Sequence, residues 1–194
     1  MILRLLVLLS ALMTLPVLAG PLSGDDSFGA GLLHPLFGID HLLVALSVGM
    51  MCAMSTKRFI YLIPIGFLFF LSLGGIAGLL HMAFPMVSLV VAASVVAVGS
   101  LIALNRDFPV SFVMAFVGLL ALFHGYENGS QLVNLDNVVL YSMGFVVGTI
   151  LLLLLGVFIG RAIVHFDQHH RWLRYTGSAI AVFGSYLVVT VLVV

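Results

Sequence analysis

Six long apolar runs, each near twenty residues, dominate this chain of 194 residues. About 20 apolar residues in an α-helix cross the ~30 Å hydrocarbon core of a bilayer. Only 7% of the residues are charged, whereas a soluble domain needs about 25% to cover its surface. The sequence therefore predicts an all-α polytopic membrane bundle, with residues 20–194 forming a single domain of six transmembrane helices. The predicted spans are approximately 35–56, 59–80, 86–104, 108–126, 138–160 and 175–194.

The first 19 residues differ from these spans. Arg4 provides a short basic start, and the apolar run that follows it, 5–15, is too short to cross a bilayer. Pro16 then interrupts the helix, and Ala19 ends a small-residue pattern typical of a signal-peptidase site. We predict that residues 1–19 are a cleaved signal peptide; the alternative is an uncleaved first helix.

The basic residues predict the orientation of the bundle. If the first span enters from outside, every basic residue except Arg4 falls in a cytoplasmic loop, as the positive-inside rule requires. These residues are Lys57, Arg58, Arg106, Arg161, Arg171 and Arg174. The expected location is therefore the bacterial inner (plasma) membrane, with the mature N-terminus in the periplasm.

Several classes of protein are excluded by simple counts. The formal net charge is zero and gives no reason to expect a nucleic-acid partner. The single cysteine, Cys52, rules out an internal disulfide. Lys57 is the only lysine and is followed by Arg58, so no Walker-type ATP-binding loop is present.

The remaining ionisable side chains are concentrated in the predicted outer half of the membrane. Charged residues inside a span are costly and usually mark a functional interior, and Asp40 is the clearest case. Imidazole and carboxylate groups together suit borderline divalent ions such as nickel, cobalt or zinc. We therefore predict a metal site formed by residues from three spans. Its candidate ligands are His34, Asp40, His41, His81, His124 and Glu127.

Spacing along the helix limits which of these residues can share an ion. His124 and Glu127 are three positions apart and lie on one helix face. His34 and His41 are seven apart, a rise of about 10.5 Å on an ideal helix, which is too far for one ion with ~2 Å metal–nitrogen bonds. Either Pro35 and Gly38 permit an irregular start of the first span, or His34 belongs to a separate entrance site.

Three of the candidates also have a purely structural interpretation. His34 would cap a helix end, Asp40 would pair with a histidine of another helix, and His81 would simply lie at the membrane boundary.

The segment from His34 to His41, HPLFGIDH, resembles the H-P-x-x-G-x-D-H signature of the HupE/UreJ family. The resemblance implies a hydrogenase or urease accessory membrane protein of the kind regarded as nickel or cobalt permeases. A second family run, F-H-G-H-A-H-G-x-E, is matched only in part at positions 123–131. There Tyr126 and Asn128 replace two histidines, and Gln131 replaces the final glutamate. Glu127 offers a carboxylate from a different position.

Three functions follow from these features. The first is a secondary permease, not an enzyme, that imports nickel or cobalt (with zinc as a further option) and holds no permanent cofactor. The second is a non-transporting accessory protein for metalloenzyme maturation. The third is an intramembrane zinc hydrolase with ligands His41, His81 and His124. The expected partners are the ion and the lipid bilayer, with a homo-oligomer or metalloenzyme maturation proteins as further candidates.

Overall fold

The computed structural model describes residues 27–54, 61–106, 108–132, 136–167 and 170–193. These residues form seven α-helices, and no β-strand occurs among them. The predicted signal peptide, 1–19, lies outside the described residues. The helices are α1 (Phe28–Phe37), α2 (Ile39–Met54), α3 (Leu62–Leu79), α4 (Val87–Leu104), α5 (Val110–Gln131), α6 (Val138–Phe166) and α7 (Arg171–Val193).

Five of these helices, α3 to α7, are each long and apolar enough to cross a membrane. Helices α1 and α2 qualify only as a pair, and they are bent by 82° where they meet. With its 16 residues, α2 alone rises only about 24 Å. The expected all-α membrane fold is confirmed, and its six spans are reached when the bent pair counts as the first. The protein is thus a multi-pass membrane protein.

Several helices are longer than the apolar runs that predicted them. Helix α5 continues to Gln131 rather than ending near residue 126, and α6 continues to Phe166 rather than residue 160. Helix α7 begins at Arg171. Hydropathy marks only the part of a helix that lies in hydrocarbon, whereas backbone hydrogen bonds extend a helix equally well through polar residues. Polar positions of the second family run therefore lie within α5 and not in a loop.

Glycines bring the helices together in pairs. Helices α3 and α5 run parallel and touch along their backbones: a Cβ added at Gly125 would collide with the carbonyl oxygen of Leu71. Helix α6 packs in the same way against α1 and α2, and α4 packs antiparallel against α7. Such close approach is favourable in a membrane, where helices associate by packing and not by the hydrophobic effect. These contacts fix the rotation of each helix about its axis.

The bundle has two chemically different ends. We call them the cavity end, where α2 and α6 begin and α5 ends, and the arginine end, where α4 and α6 end and α7 begins. The arginine end carries Arg106, Arg161, Arg171 and Arg174. Between the ends lies an apolar layer of fully buried side chains. This layer includes Val44, Phe67, Val95, Val98 and Val117.

Candidate functional site

The break between α1 and α2 brings the first motif together. Gly38 leaves the helical conformation, with φ −75° and ψ 98°, and α2 restarts at Ile39. The backbone N–H of His41 donates to Oδ1 of Asp40 at 2.7 Å, which helps to cap the new helix start. As a result, His34, Asp40 and His41 line the same cavity. Of the two arrangements left open by the seven-residue spacing, the structure adopts the irregular start.

Helix α5 supplies the opposite wall of this cavity. His124 is buried with an exposed fraction of 3%, and Glu127 lines the cavity one turn further along. Asn128 and Gln131 continue the same helix face at i+4 and i+7. The backbone contact of Gly125 with α3 holds this face toward the bundle interior.

The cavity itself is small, about 40 Å³. That volume has room for about three water molecules, fewer than a fully hydrated divalent ion carries. Full entry into this space would favour exchange of part of the ion's hydration shell for groups of the protein. The lining residues are His34, Gly38, Asp40, His41, His124, Glu127, Asn128, Gln131 and Phe145.

The two most buried histidines face each other inside the bundle. The rings of His41 and His124 have their centroids 5.5 Å apart. Each is tied by Nε2 to a hydroxyl on another helix: His41 to Thr149 of α6 at 3.0 Å, and His124 to Ser94 of α4 at 2.8 Å. Four helices therefore position two imidazoles.

Aromatic rings of α6 form the wall beside the histidines. Phe145 lies 4.9 Å from the His41 ring and 5.8 Å from the His34 ring, centroid to centroid. Tyr141 contacts His34 edge-on at 5.9 Å. The polar groups of the cavity are thus bordered by apolar surface on this side, which lowers the local dielectric and strengthens their electrostatic interactions.

Asn128 has a feature that distinguishes it from its neighbours. Its side chain is 8% exposed, and its Oδ1 has no hydrogen-bond partner within the protein. An unsatisfied buried polar group costs about 1–3 kcal/mol. Asn128 lines the cavity, where a cation or its bound water would satisfy this oxygen.

The side chains do not form a ready metal centre. Within the five described ranges, no three His, Cys, Asp or Glu side chains converge closely enough to hold one ion. The histidine pair is in place, whereas the carboxylates of Asp40 and Glu127 line the cavity without converging on it.

His81 does not join the cluster, contrary to the expectation from sequence. Helix α3 ends at Leu79, and the chain then turns, with the His81 N–H donating to the carbonyl of Gly78. His81 has a left-handed backbone, φ 53°, and an exposed side chain that does not line the cavity. The turn carries the imidazole off the helix face that Gly78 presents to α5. The ligand set expected for a zinc hydrolase, His41 with His81 and His124, is therefore not formed.

The second motif divides between the cavity and the contact with the α3–α4 connection. Asn128 and Gln131, two of the departures from the family run, line the cavity. Tyr126 instead stacks on Phe84 of the α3–α4 connection, with centroids 4.5 Å apart and planes at 5°. Only part of this run therefore contributes to the site.

Sequence reasoning missed several residues that shape the site. Asn128 and Gln131 would follow from helical spacing after His124, had the helix been extended beyond residue 126. Ser94 and Thr149 gave no signal, because serine and threonine inside apolar helices commonly bond only the carbonyl of the preceding turn.

These features define a class: a multi-pass α-helical membrane protein with a small polar cavity at one end of its bundle. The chain belongs to the HupE/UreJ family, whose model, described as HupE / UreJ protein, matches residues 6–187. It is also 33% identical over 182 residues to Protein HupE of Rhizobium leguminosarum bv. viciae, covering 92% of this chain and 94% of that protein. No solved structure matches the chain. The resemblance carried by the first motif is thus confirmed.

Proposed function

We propose that the protein is a secondary permease that imports a divalent transition metal ion, nickel or cobalt, across the inner membrane. The observation that carries this proposal is the placement of two buried histidines from different spans, His41 and His124, 5.5 Å apart in one cavity. Asp40 and Glu127 line the same cavity.

The histidine pair suits a single borderline ion. Two imidazoles bound to one ion through ~2 Å metal–nitrogen bonds have ring centres about 5 Å apart, which is close to the separation in the structure. Imidazole nitrogen favours nickel, cobalt and zinc over magnesium and calcium, which prefer oxygen ligands. The pair therefore supports selection of a transition metal.

The carboxylates supply the negative charge that neutral imidazoles lack. Neutral imidazoles do not offset the charge of a divalent cation, and an unpaired charge is expensive to bury. Asp40 and Glu127 line the cavity and provide negative charge there. Because they do not converge before an ion arrives, the ion would be held without a closed shell, which favours its release. Release distinguishes a carrier from a structural metal site, which is closed.

The apolar layer supports a carrier and not an open channel. On the side of His41 and His124 toward the arginine end, Val44, Phe67 and Val117 have exposed fractions of 0%. A hydrated ion cannot cross such a layer without rearrangement of the helices, so the cavity would open alternately to each side.

Direction and driving force follow from charge. The arginine end would face the cytoplasm by the positive-inside rule, so the cavity would open from the periplasm. A divalent ion that moves inward gains about 4.6 kcal/mol per 100 mV of membrane potential. That is sufficient for roughly a thousandfold accumulation.

Uptake into proteoliposomes tests this function. Purified protein would be reconstituted with an inside-negative potassium diffusion potential, and nickel, cobalt and zinc uptake would be compared with protein-free vesicles. We expect saturable uptake of nickel or cobalt that stops when the potential is removed. Specific metal binding in detergent without uptake would instead assign the protein the non-transporting accessory role.

A further inference from the structure

The hydroxyl groups beside the two buried histidines form hydrogen bonds that determine which ring nitrogen of each imidazole carries the hydrogen. Thr149 Oγ1 lies 2.9 Å from the Phe145 carbonyl oxygen, and Ser94 Oγ lies 2.6 Å from the Val91 carbonyl oxygen. Both distances are those of hydrogen bonds, and each such bond needs one hydrogen. A carbonyl has none to give, so each hydroxyl donates its single hydrogen to the carbonyl of its own helix.

The consequence for the imidazoles follows from valence. A hydroxyl that has already donated its hydrogen can only accept toward a further partner. The Nε2 atoms of His41 and His124, at 3.0 Å from Thr149 Oγ1 and 2.8 Å from Ser94 Oγ, must therefore carry hydrogens and donate them. In a neutral imidazole with Nε2–H, the lone pair is on Nδ1.

We propose that Thr149 and Ser94 are positioning residues that hold His41 and His124 as Nε2–H tautomers, so that both imidazoles present Nδ1 to the transported ion. This inference rests on the proposed function, because it takes the cavity to be the metal site. Neither hydroxyl binds the ion itself. Each orients an imidazole from a neighbouring helix, as groups behind metal ligands usually do.

The arrangement also connects the site to the helix pairs. Thr149 is fully buried in α6 and Ser94 is fully buried in α4. A shift of either helix relative to its histidine would break the hydrogen bond and free the ring to rotate. Metal affinity would therefore depend on how α2 sits against α6 and how α5 sits against α4.

Binding measurements on matched variants test the proposal. Thr149→Val keeps the shape and removes the acceptor, and Ser94→Ala removes the other. Thr176→Val and Ser185→Ala are the controls, because these hydroxyls also bond the carbonyl of the preceding turn but belong to residues of α7 that do not line the cavity. We expect nickel affinity in detergent, measured by calorimetry, to fall about 10–100-fold for the first two variants and to be unchanged in the controls.

A conservative variant separates positioning from packing. Thr149→Ser restores the acceptor while losing a methyl group. It should bind nickel within about threefold of the wild type, a difference in binding free energy of under about 0.7 kcal/mol. Thr149→Val should not. Wild-type affinity in Thr149→Val, or equal losses in the valine and serine variants, would overturn the proposal.

A spectroscopic measurement on metal-free protein tests the tautomers independently of any transport assay. Nitrogen NMR of ¹⁵N-histidine-labelled wild type, with His41→Gln and His124→Gln used for assignment, reports which ring nitrogen carries the hydrogen. We expect Nε2–H for both histidines. Nδ1–H in either would overturn the proposal even if uptake is normal. Loss of uptake in every assay together with Nε2–H tautomers would reject the permease function while the tautomer assignment stood.

Discussion

His41 of α2 and His124 of α5 lie ring to ring, 5.5 Å between centroids, although they come from distant stretches of the chain. His41 lies in the first turn of α2, and His124 lies well inside α5. Both are buried, with exposed fractions of 6% and 3%, and each is tied to a further helix. Burying a pair of this kind costs stability, since each ring occupies a position that an apolar side chain would fill. Such a cost indicates a functional role for the two histidines.

The pair predicts a sharp difference among the histidines of the chain. His41→Ala and His124→Ala should each reduce the initial rate of nickel uptake at least tenfold, because each removes half of the imidazole pair. His81→Ala and His165→Ala should leave the rate unchanged, since both side chains are exposed and do not line the cavity. Initial rates in proteoliposomes, normalised to reconstituted protein, measure the effect. A His81→Ala loss equal to that of His41→Ala would contradict the structural assignment.

Asp40 permits a test of charge at constant shape. Asp40→Asn retains a side-chain oxygen that can accept from the His41 N–H, so the start of α2 should remain intact. The negative charge is lost, and we expect uptake to fall at least tenfold while melting temperature changes little. Asp136→Asn, at an exposed position outside the cavity, is the control. Full activity in Asp40→Asn would show that carboxylate charge is not needed.

Sequence alone predicted the fold well because the bilayer imposes a simple rule. In hydrocarbon, a single segment can make all of its backbone hydrogen bonds internally only as a helix. Long apolar runs therefore indicate spans directly. The break at Gly38 was one of two alternatives that the sequence left open, and the extension of α5 to Gln131 was not predicted. The first depends on how α1 packs against Gly144 and Gly148 of α6, and hydropathy contains no information on that contact.

For the site, sequence supplied the residues but not the partners. Five of the six candidate ligands line one cavity, and their spacing and chemistry already indicated a shared site. His81 was misplaced because two residues beyond a helix end suffice to turn a side chain away. Ser94 and Thr149 are visible only when tertiary contacts bring their hydroxyls to the imidazoles.

Packing around Gly125 predicts a structural route to loss of function. In Gly125→Ala the new Cβ would collide with the Leu71 carbonyl oxygen, so α3 and α5 must separate. Overpacking of this kind costs about 1–3 kcal/mol and would move His124 away from Ser94. We expect a lower melting temperature in detergent together with weaker nickel binding.

Gly75→Ala is the matched control for that change. It lies in the same interface, yet its Cβ would meet only the Gly125 carbonyl oxygen at 3.8 Å, an ordinary contact. Its melting temperature should equal or exceed that of the wild type, because alanine favours the helix. Equal destabilisation by both alanines would argue against backbone contact at Gly125 as the cause.

Asn128 predicts opposite changes in stability and function. Its Oδ1 is buried without a partner, a cost of about 1–3 kcal/mol that a similarly sized apolar residue would remove. Asn128→Leu should therefore be as stable as the wild type or more so. If the amide oxygen coordinates the ion or accepts a hydrogen bond from its bound water, the same variant should bind nickel more weakly. Asn137→Leu, which replaces the exposed amide that accepts from the Leu140 N–H, is the control and should lose stability without weakening binding.

Thermal melts and calorimetry on the same preparations of Asn128→Leu separate the effect on stability from the effect on binding. A more stable Asn128→Leu that still binds and transports nickel normally would show that the orphaned oxygen has no part in handling the ion.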